Sequence, residues 1–215
     1  MRGTLEMKRR YFKATLLGLI AQSMIIFAVY SSFGRSDAAS QQASDRGYST
    51  DIKELHDKFN KDKGNVRLLL LLSPTCPECL RGASEIQSKV LEKIKDSDMR
   101  VYVIYLPILK MDREESVPSA MKQLPDKRVS FFWDRNGELA HSYSRVLQLP
   151  ARQPAWDVYL LFNRDDAWKA DVPAPDYWMA QLSGISSERR LDGNKFADET
   201  SKLLRPTSPM FLFGI

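Results

Sequence analysis

Apolar side chains fall along this chain in two rhythms, and the alternation between them outlines an architecture. Five consecutive leucines, Leu68 to Leu72, end at Ser73-Pro74. A run so short, and apolar at every position, suits a strand buried on both faces of a parallel sheet. Beyond it Leu80, Ala83, Ile86, Val90, Leu91 and Ile94 recur at the spacing of an amphipathic helix, and the pattern extends that helix from Pro77 to about Asp96. The β-branched and aromatic stretch from Met99 to Ile108 predicts a second central strand, and right-handed crossover makes it parallel to the first. Val129 to Trp133 predicts a third strand, closed by Asp134-Arg135-Asn136-Gly137, and Leu139, Tyr143, Val146 and Leu147 predict a helix from Glu138 to about Leu147.

Flanking segments follow the same logic. Ile52, Leu55 and Phe59 mark one face of a short helix ending near Gly64, with Asp51 and Glu54 spaced as a capping box and His56 as a surface residue. Asp112 to Leu124, with Pro118 inside it and Pro125 just after, reads as polar and partly helical. Trp156 to Phe162 predicts a fourth strand, and Asn163-Arg164-Asp165-Asp166 a hairpin turn into a short strand near Ala167 to Ala170. Ala174-Pro175-Asp176 then predicts the opening of a helix through about Leu182, stopped by Gly184. A last polar helix runs from about Asn194 to Leu204, ahead of Pro206, Pro209 and the apolar Met210-Phe211-Leu212-Phe213.

Charge changes the picture at the N terminus. A basic flank, Met7-Lys8-Arg9-Arg10-Tyr11-Phe12-Lys13, precedes a mostly apolar run from Ala14 to Tyr30 interrupted by Gln22 and Ser23. That pattern is a secretory signal or a short signal anchor with its positive end in the cytoplasm. Ser36 and Ala38 offer a cleavage site, but far from the apolar run, and the uncleaved anchor is the preferred reading. Of the 32 basic and 27 acidic residues, six basic and one acidic lie in residues 1 to 35, which leaves the remainder neutral with 26 of each. The net charge of +5 is therefore topogenic and gives no support to nucleic-acid binding. The organisation expected is a signal segment at 1–33, a Ser/Ala/Gln-rich linker at 34–49, one domain at 50–205 and an apolar tail at 206–215.

Candidate chemistry sits where the leucine strand hands over to its helix. Both cysteines of the chain are there, in Ser73-Pro74-Thr75-Cys76-Pro77-Glu78-Cys79. Pro77 suits the first helical position, which makes Cys76 the N-cap and Cys79 a first-turn residue. Free N–H groups and the positive end of the helix dipole stabilise a thiolate at the N-cap, so Cys76 is the expected nucleophile. Cys79, one turn on and on the same face, is the expected resolving thiol. A Cys-x-x-Cys at a strand-to-helix junction in a strand-helix-strand unit points to redox chemistry. The bland alternatives are an inert structural disulfide and half of a metal site. Glu78 favours the dipole but repels a nearby thiolate, so it opposes activation of Cys76, unless it is merely a solvated first-turn residue. His141 with the two thiols would suit a copper carrier, although a lone helical His is usually a surface residue. The four tryptophans are expected to pack the core and rim, and neither a catalytic triad nor a phosphate loop is visible.

The order of elements together with the Ser-Pro-Thr-Cys-Pro-Glu-Cys core resembles the thioredoxin-like superfamily. The wording is similar to extracytoplasmic members, including thioredoxin-like accessory proteins of methylamine utilisation. Asp134-x-x-Gly137, Tyr143, Val146, Pro150 and Leu160-Leu161-Phe162-Asn163 resemble the later half of membrane-tethered thiol-disulfide reductases and peroxiredoxin relatives; the likeness spans about residues 64 to 183. It implies an α/β fold with a central sheet flanked by helices, following the N-terminal transmembrane or signal helix. It implies Cys76 and Cys79 as catalytic residues, with Thr75, Pro77 and Glu78 tuning them. Thr75 stands where reducing members often carry Trp. The family places a cis-proline immediately before the strand facing the motif. Counting back from Phe162, that position falls near Asp157 and the nearest prolines are Pro154 and Pro150, so Pro154 and Asp157 are the candidate substrate-facing residues.

Taken together these readings predict thiol-disulfide exchange on protein thiols or disulfides, outside the cytoplasm, in a domain tethered to the inner membrane or exported to the periplasm. No cofactor, metal or nucleic acid is expected, and a reductant would draw electrons from a membrane partner. The alternatives are a non-catalytic interaction module with a structural disulfide and, third, a copper carrier.

Overall fold

The computed structural model describes residues 47–205. The expected signal or anchor helix, most of the expected linker and the apolar tail lie outside the described residues. Among those described, no helix is long and apolar enough to cross a membrane.

The leucine run forms β1 (Val66–Leu72), buried at every position. Parallel to it lies β2 (Met99–Tyr105), with Leu68 opposite Val101 and Leu70 opposite Val103, and β3 (Val129–Trp133) continues the parallel half. On the other edge β4 (Val158–Phe162) is antiparallel to β1, with Leu69 opposite Leu160, and β5 (Tyr177–Ala180) is antiparallel to β4. The sheet order is β3-β2-β1-β4-β5.

Successive strand residues point to opposite faces, so the leucines divide between two cores. Leu68, Leu70 and Leu72 pack with Ala83 and Ile86 of α2 (Pro77–Ile86) and with Phe196 and Ala197 of α5 (Gly193–Leu204). Leu69 and Leu71 pack with Leu55 and Phe59 of α1 (Ile52–Lys61) and with Leu139, Ala140 and Tyr143 of α4 (Glu138–Val146). A short α3 (Val117–Ala120) between two 3₁₀ turns bridges β2 and β3. This is a mixed α/β fold, one five-stranded sheet with helices on both faces, and both cysteines belong to the core on the α2 face.

Four expectations are corrected. The helix predicted to run to about Asp96 stays α-helical only to Ile86, continues as a π-helical turn over Gln87–Leu91 and then stops. Arg128 gathers the carbonyls that follow, donating to Leu91, Ile94 and Asp96. The helix predicted from Ala174 to Leu182 is instead the strand β5: Asp176, expected to open that helix, accepts from the Asn163 N–H at 2.8 Å, and Trp178 pairs with Leu160. No strand forms near Ala167 to Ala170, where Trp168 turns onto Phe59 and bonds Asn60. Ser49, just ahead of the expected domain start, pairs with the edge of β3 through Phe131 and Trp133. At α1, Asp51 caps the second-position amide of Lys53 and not the third-position amide a capping box uses, and Glu54 accepts from the Ser49 hydroxyl instead of closing the box.

One basic residue is fully buried among those described. Arg67 is fully buried on β1 beside the leucines. Its guanidinium donates to the carbonyls of Phe59, Asn163, Arg164 and Asp166 and sits 4.3 Å from the Phe59 ring centre. Its two terminal nitrogens are met in this way while Nε is buried without a partner; a buried cation is tolerable when most of its donors are satisfied, and here it ties the end of α1 to the β4–β5 connection.

Candidate active site

Helix α2 starts where its sequence says it should. Pro77 occupies the first turn, and Cys76, in extended backbone, is the N-cap, its Sγ accepting from Cys79 N at 3.4 Å. This is the bond by which a cap side chain satisfies a free N–H of the first turn. Cys79 Sγ lies deeper, fully buried, and accepts from Ser73 N at 3.5 Å. Cys76 retains 4% exposure and Cys79 none. Burial pushes the Cys79 thiol far up, with the nearby Asp157 charge adding to it.

The loop entering the helix is held by a residue that the sequence did not single out. Asp112 is buried; its Oδ1 accepts from Ser73 Oγ (2.9 Å), Thr75 Oγ1 (2.6 Å) and Thr75 N (3.3 Å), and its Oδ2 from Ile108 N and Leu109 N. Five donors on one carboxylate fix the Ser-Pro-Thr segment against the segment after β2. Thr75 therefore acts as an anchor of the loop. Its one advance signal was an Asp flanked by exposed residues in a polar stretch, which many solvated aspartates share.

Asp157 is the second buried carboxylate of the site. It stands directly before β4, in the left-handed region at φ +52°, and is 2% exposed. No described peptide bond is cis. Asp157 does not face a substrate surface as expected: its carboxylate lies in one cluster with the two sulfurs, all three ligand atoms within 4.8 Å of one another. Tyr159 donates its hydroxyl to Asp157 Oδ1 at 2.7 Å, and Gln181 Nε2 donates to the same oxygen at 3.1 Å and to the Glu78 carbonyl at 3.1 Å. Burial is the main cause that raises the Asp157 carboxyl above its ordinary value, against the pull of these donors. Gly82 makes room for this network, since a Cβ there would stand 1.9 Å from the Tyr159 hydroxyl.

Glu78 lies on the outer side. Its Oε2 is 3.7 Å from Cys76 Sγ, and its Oε1 accepts from Arg81 at 2.9 Å. The Arg81 bond leads the causes that lower the Glu78 carboxyl, so the charge facing Cys76 is already paired.

The remaining candidates do not converge. Pro154 is half-buried beside Ala155, whose N–H bonds Ala140 of α4 on the other face of the sheet. His141 is an exposed residue of that same helix, so it does not join the thiols in the copper site weighed as an alternative. His56 is a surface residue bonded to Asp57 and Asn60. Trp168 and Trp133 are buried packing residues.

No protein-family model matches the chain, and no curated protein matches it. Solved structures do. A secreted disulfide oxidoreductase of Mycobacterium tuberculosis, described as homologous to DsbE of E. coli, is 10% identical, with 66% of this chain and 85% of that one covered at a TM-score of 0.43. A thiol-disulfide isomerase of Corynebacterium glutamicum is 16% identical, covering 69% and 86% at 0.45. A thiol:disulfide interchange protein of the thioredoxin family from Chlorobium tepidum is 11% identical, covering 67% and 83% at 0.45. Likeness at this level decides nothing about activity; the strand order and the site geometry stand on their own.

Proposed function

We propose that this chain exchanges thiols and disulfides on protein partners outside the cytoplasm through Cys76 and Cys79. The observation that carries the reading is the asymmetry of the pair: one sulfur at a helix N-cap with residual exposure, the other buried behind it beside a carboxylate. In the forward step the Cys76 thiolate attacks one sulfur of a partner disulfide, that S–S bond breaks and the other partner sulfur leaves as a thiolate. Cys79 then passes its proton to Asp157, attacks Cys76 Sγ and releases the second partner thiolate. Two electrons have moved from the dithiol to the partner. A domain that works as a reductant in an oxidising compartment needs a donor of electrons, which the N-terminal segment would bring near the membrane. A protein partner also suits the rim: Leu109 and Met111, exposed large hydrophobics, lie on the segment that Asp112 ties to the motif.

The rival reading, a disulfide that merely staples the start of α2, draws on the near-complete burial of both sulfurs. Trapping separates the two. Cys79→Ser should accumulate mixed disulfides, visible on non-reducing gels and reversed by a thiol, whereas Cys76→Ser should not. Equal trapping by both variants sinks the assigned roles, and trapping by neither favours the staple.

A further inference from the structure

We propose that the reduced site is also a metal site, in which Cys76 Sγ, Cys79 Sγ and the Asp157 carboxylate bind one zinc-class divalent cation. The inference goes beyond thiol exchange and does not need it. Its basis is geometric. Three donor atoms of the right kinds lie within 4.8 Å of one another, all in buried residues. They come from separate parts of the fold, two from the start of α2 and one from the residue before β4, so they enclose a point instead of lining a surface. Around zinc, with Zn–S near 2.3 Å and Zn–O near 2.1 Å, tetrahedral donors stand roughly 3.5 to 3.8 Å apart. Closing from the observed spacing therefore asks for a movement of about an ångström, within reach of side-chain torsions.

The carboxylate is also held as a ligand should be. Tyr159 and Gln181 both donate to Asp157 Oδ1, and Gln181 is itself fixed by the Glu78 carbonyl. Outer hydrogen bonds of this sort orient a ligating oxygen and leave its companion free; the contact on Oδ2 is a longer one from Gln181 at 3.4 Å. Two thiolates and a carboxylate would share this buried space only around a cation, and among the described residues no Arg or Lys donates to any of the three. Thiolate with oxygen is a donor set that zinc and cadmium accept. Three protein ligands leave a fourth position, which opens on the Cys76 side, bordered by Glu78 Oε2 at 3.7 Å. The position before β4 thus holds a ligand where a proline would offer none. Metal binding and nucleophilic attack exclude each other, because both use the same sulfurs, and oxidation to the disulfide removes the site.

The test uses the full chain, purified in mild detergent and fully reduced, with Zn²⁺ competed against a chromophoric chelator and Cd²⁺ followed by its thiolate charge-transfer absorption. One equivalent should bind, with none bound after oxidation to the Cys76–Cys79 disulfide. Asp157→Asn should weaken Zn²⁺ at least tenfold while both thiols still titrate. Gln181→Ala should weaken it by about tenfold or more; should Asp157→Asn fail to fold, this variant carries the test. Absence of uptake by the reduced wild type at micromolar metal overturns the proposal, as does unchanged affinity in the folded variant. Neither result bears on the trapping experiment, which is read without metal.

Discussion

At the scale of single residues, the site depends on side chains that fit only because a neighbour is small or fixed. Gly82 is the clearest case. It lies one turn beyond the motif on α2, where most helices would gain from alanine. Here a methyl group would drive the Tyr159 hydroxyl off Asp157 Oδ1. Gly82→Ala is therefore expected to lower stability by about 1–3 kcal/mol, the usual range for forced overpacking, although the substitution raises helix propensity. It should also slow release of the second partner thiol while leaving the first attack by Cys76 within about twofold, since the displaced network holds Asp157, which takes the Cys79 proton in the second step and has no role in the first. Urea unfolding and rapid-quench analysis of the mixed disulfide measure the two effects. A stabilised variant would show that the Tyr159–Asp157 contact has no such constraint.

At the scale of elements, the β4–β5 connection is where the pattern of the chain misleads. Tyr177 to Ala180 is too short for a period to declare itself, and Pro175-Asp176 looks like a helix start. Pairing with β4 decides the outcome, a contact that local sequence does not display. The same connection brings Asp166 and Asp176 onto one donor, the Asn163 N–H, each at 2.8 Å. The Asp166 carboxyl is pushed up to about 6, first by burial and then by its hydrogen bond with Asp176 and that group's charge. Asp176→Asn removes the charge but leaves the burial. The Asp166 value should accordingly fall below 6 yet stay above the ordinary carboxylate range, as followed by carboxyl ¹³C shifts against pH. A value unmoved by the substitution would mean that burial acts alone. Arg67 binds the same turn from below, and Arg67→Met should cost about 2–4 kcal/mol in urea unfolding, because several buried carbonyls lose their donor.

At the scale of the whole molecule, what was legible and what was not divide along a physical line. The leucine strand, the parallel crossover and the N-cap cysteine are each written in neighbouring residues, through periodicity and capping chemistry, and they are found in place. Asp112 and Arg67 escaped, and Asp157 was expected in another role, because their meaning lies partly in residues distant along the chain, Thr75 for Asp112, Asp166 for Arg67 and Cys79 for Asp157, and a polar residue looks solvated until the fold encloses it. These enclosed acids also set the molecule's response to pH. A carboxyl whose folded value lies above its unfolded one keeps its proton longer in the folded state, so stability falls as pH rises from the ordinary carboxylate value near 4 through the raised one. Asp157 and Asp166 both have that sign. Asp126, lowered by its bond with Arg128, has the opposite one and contributes stability that is lost only below the ordinary value, so the windows do not overlap. Metal-free Asp157→Asn should therefore gain on the wild type as pH rises above the ordinary carboxylate value near 4: whatever the variant loses in hydrogen bonding is constant, while the wild type alone bears the cost of ionising a buried group. Urea unfolding at a series of pH values, with a chelator present, gives the difference directly. A difference that is flat or shrinks with pH would place the Asp157 charge in contact with water or a cation, and would remove the buried acid from the site.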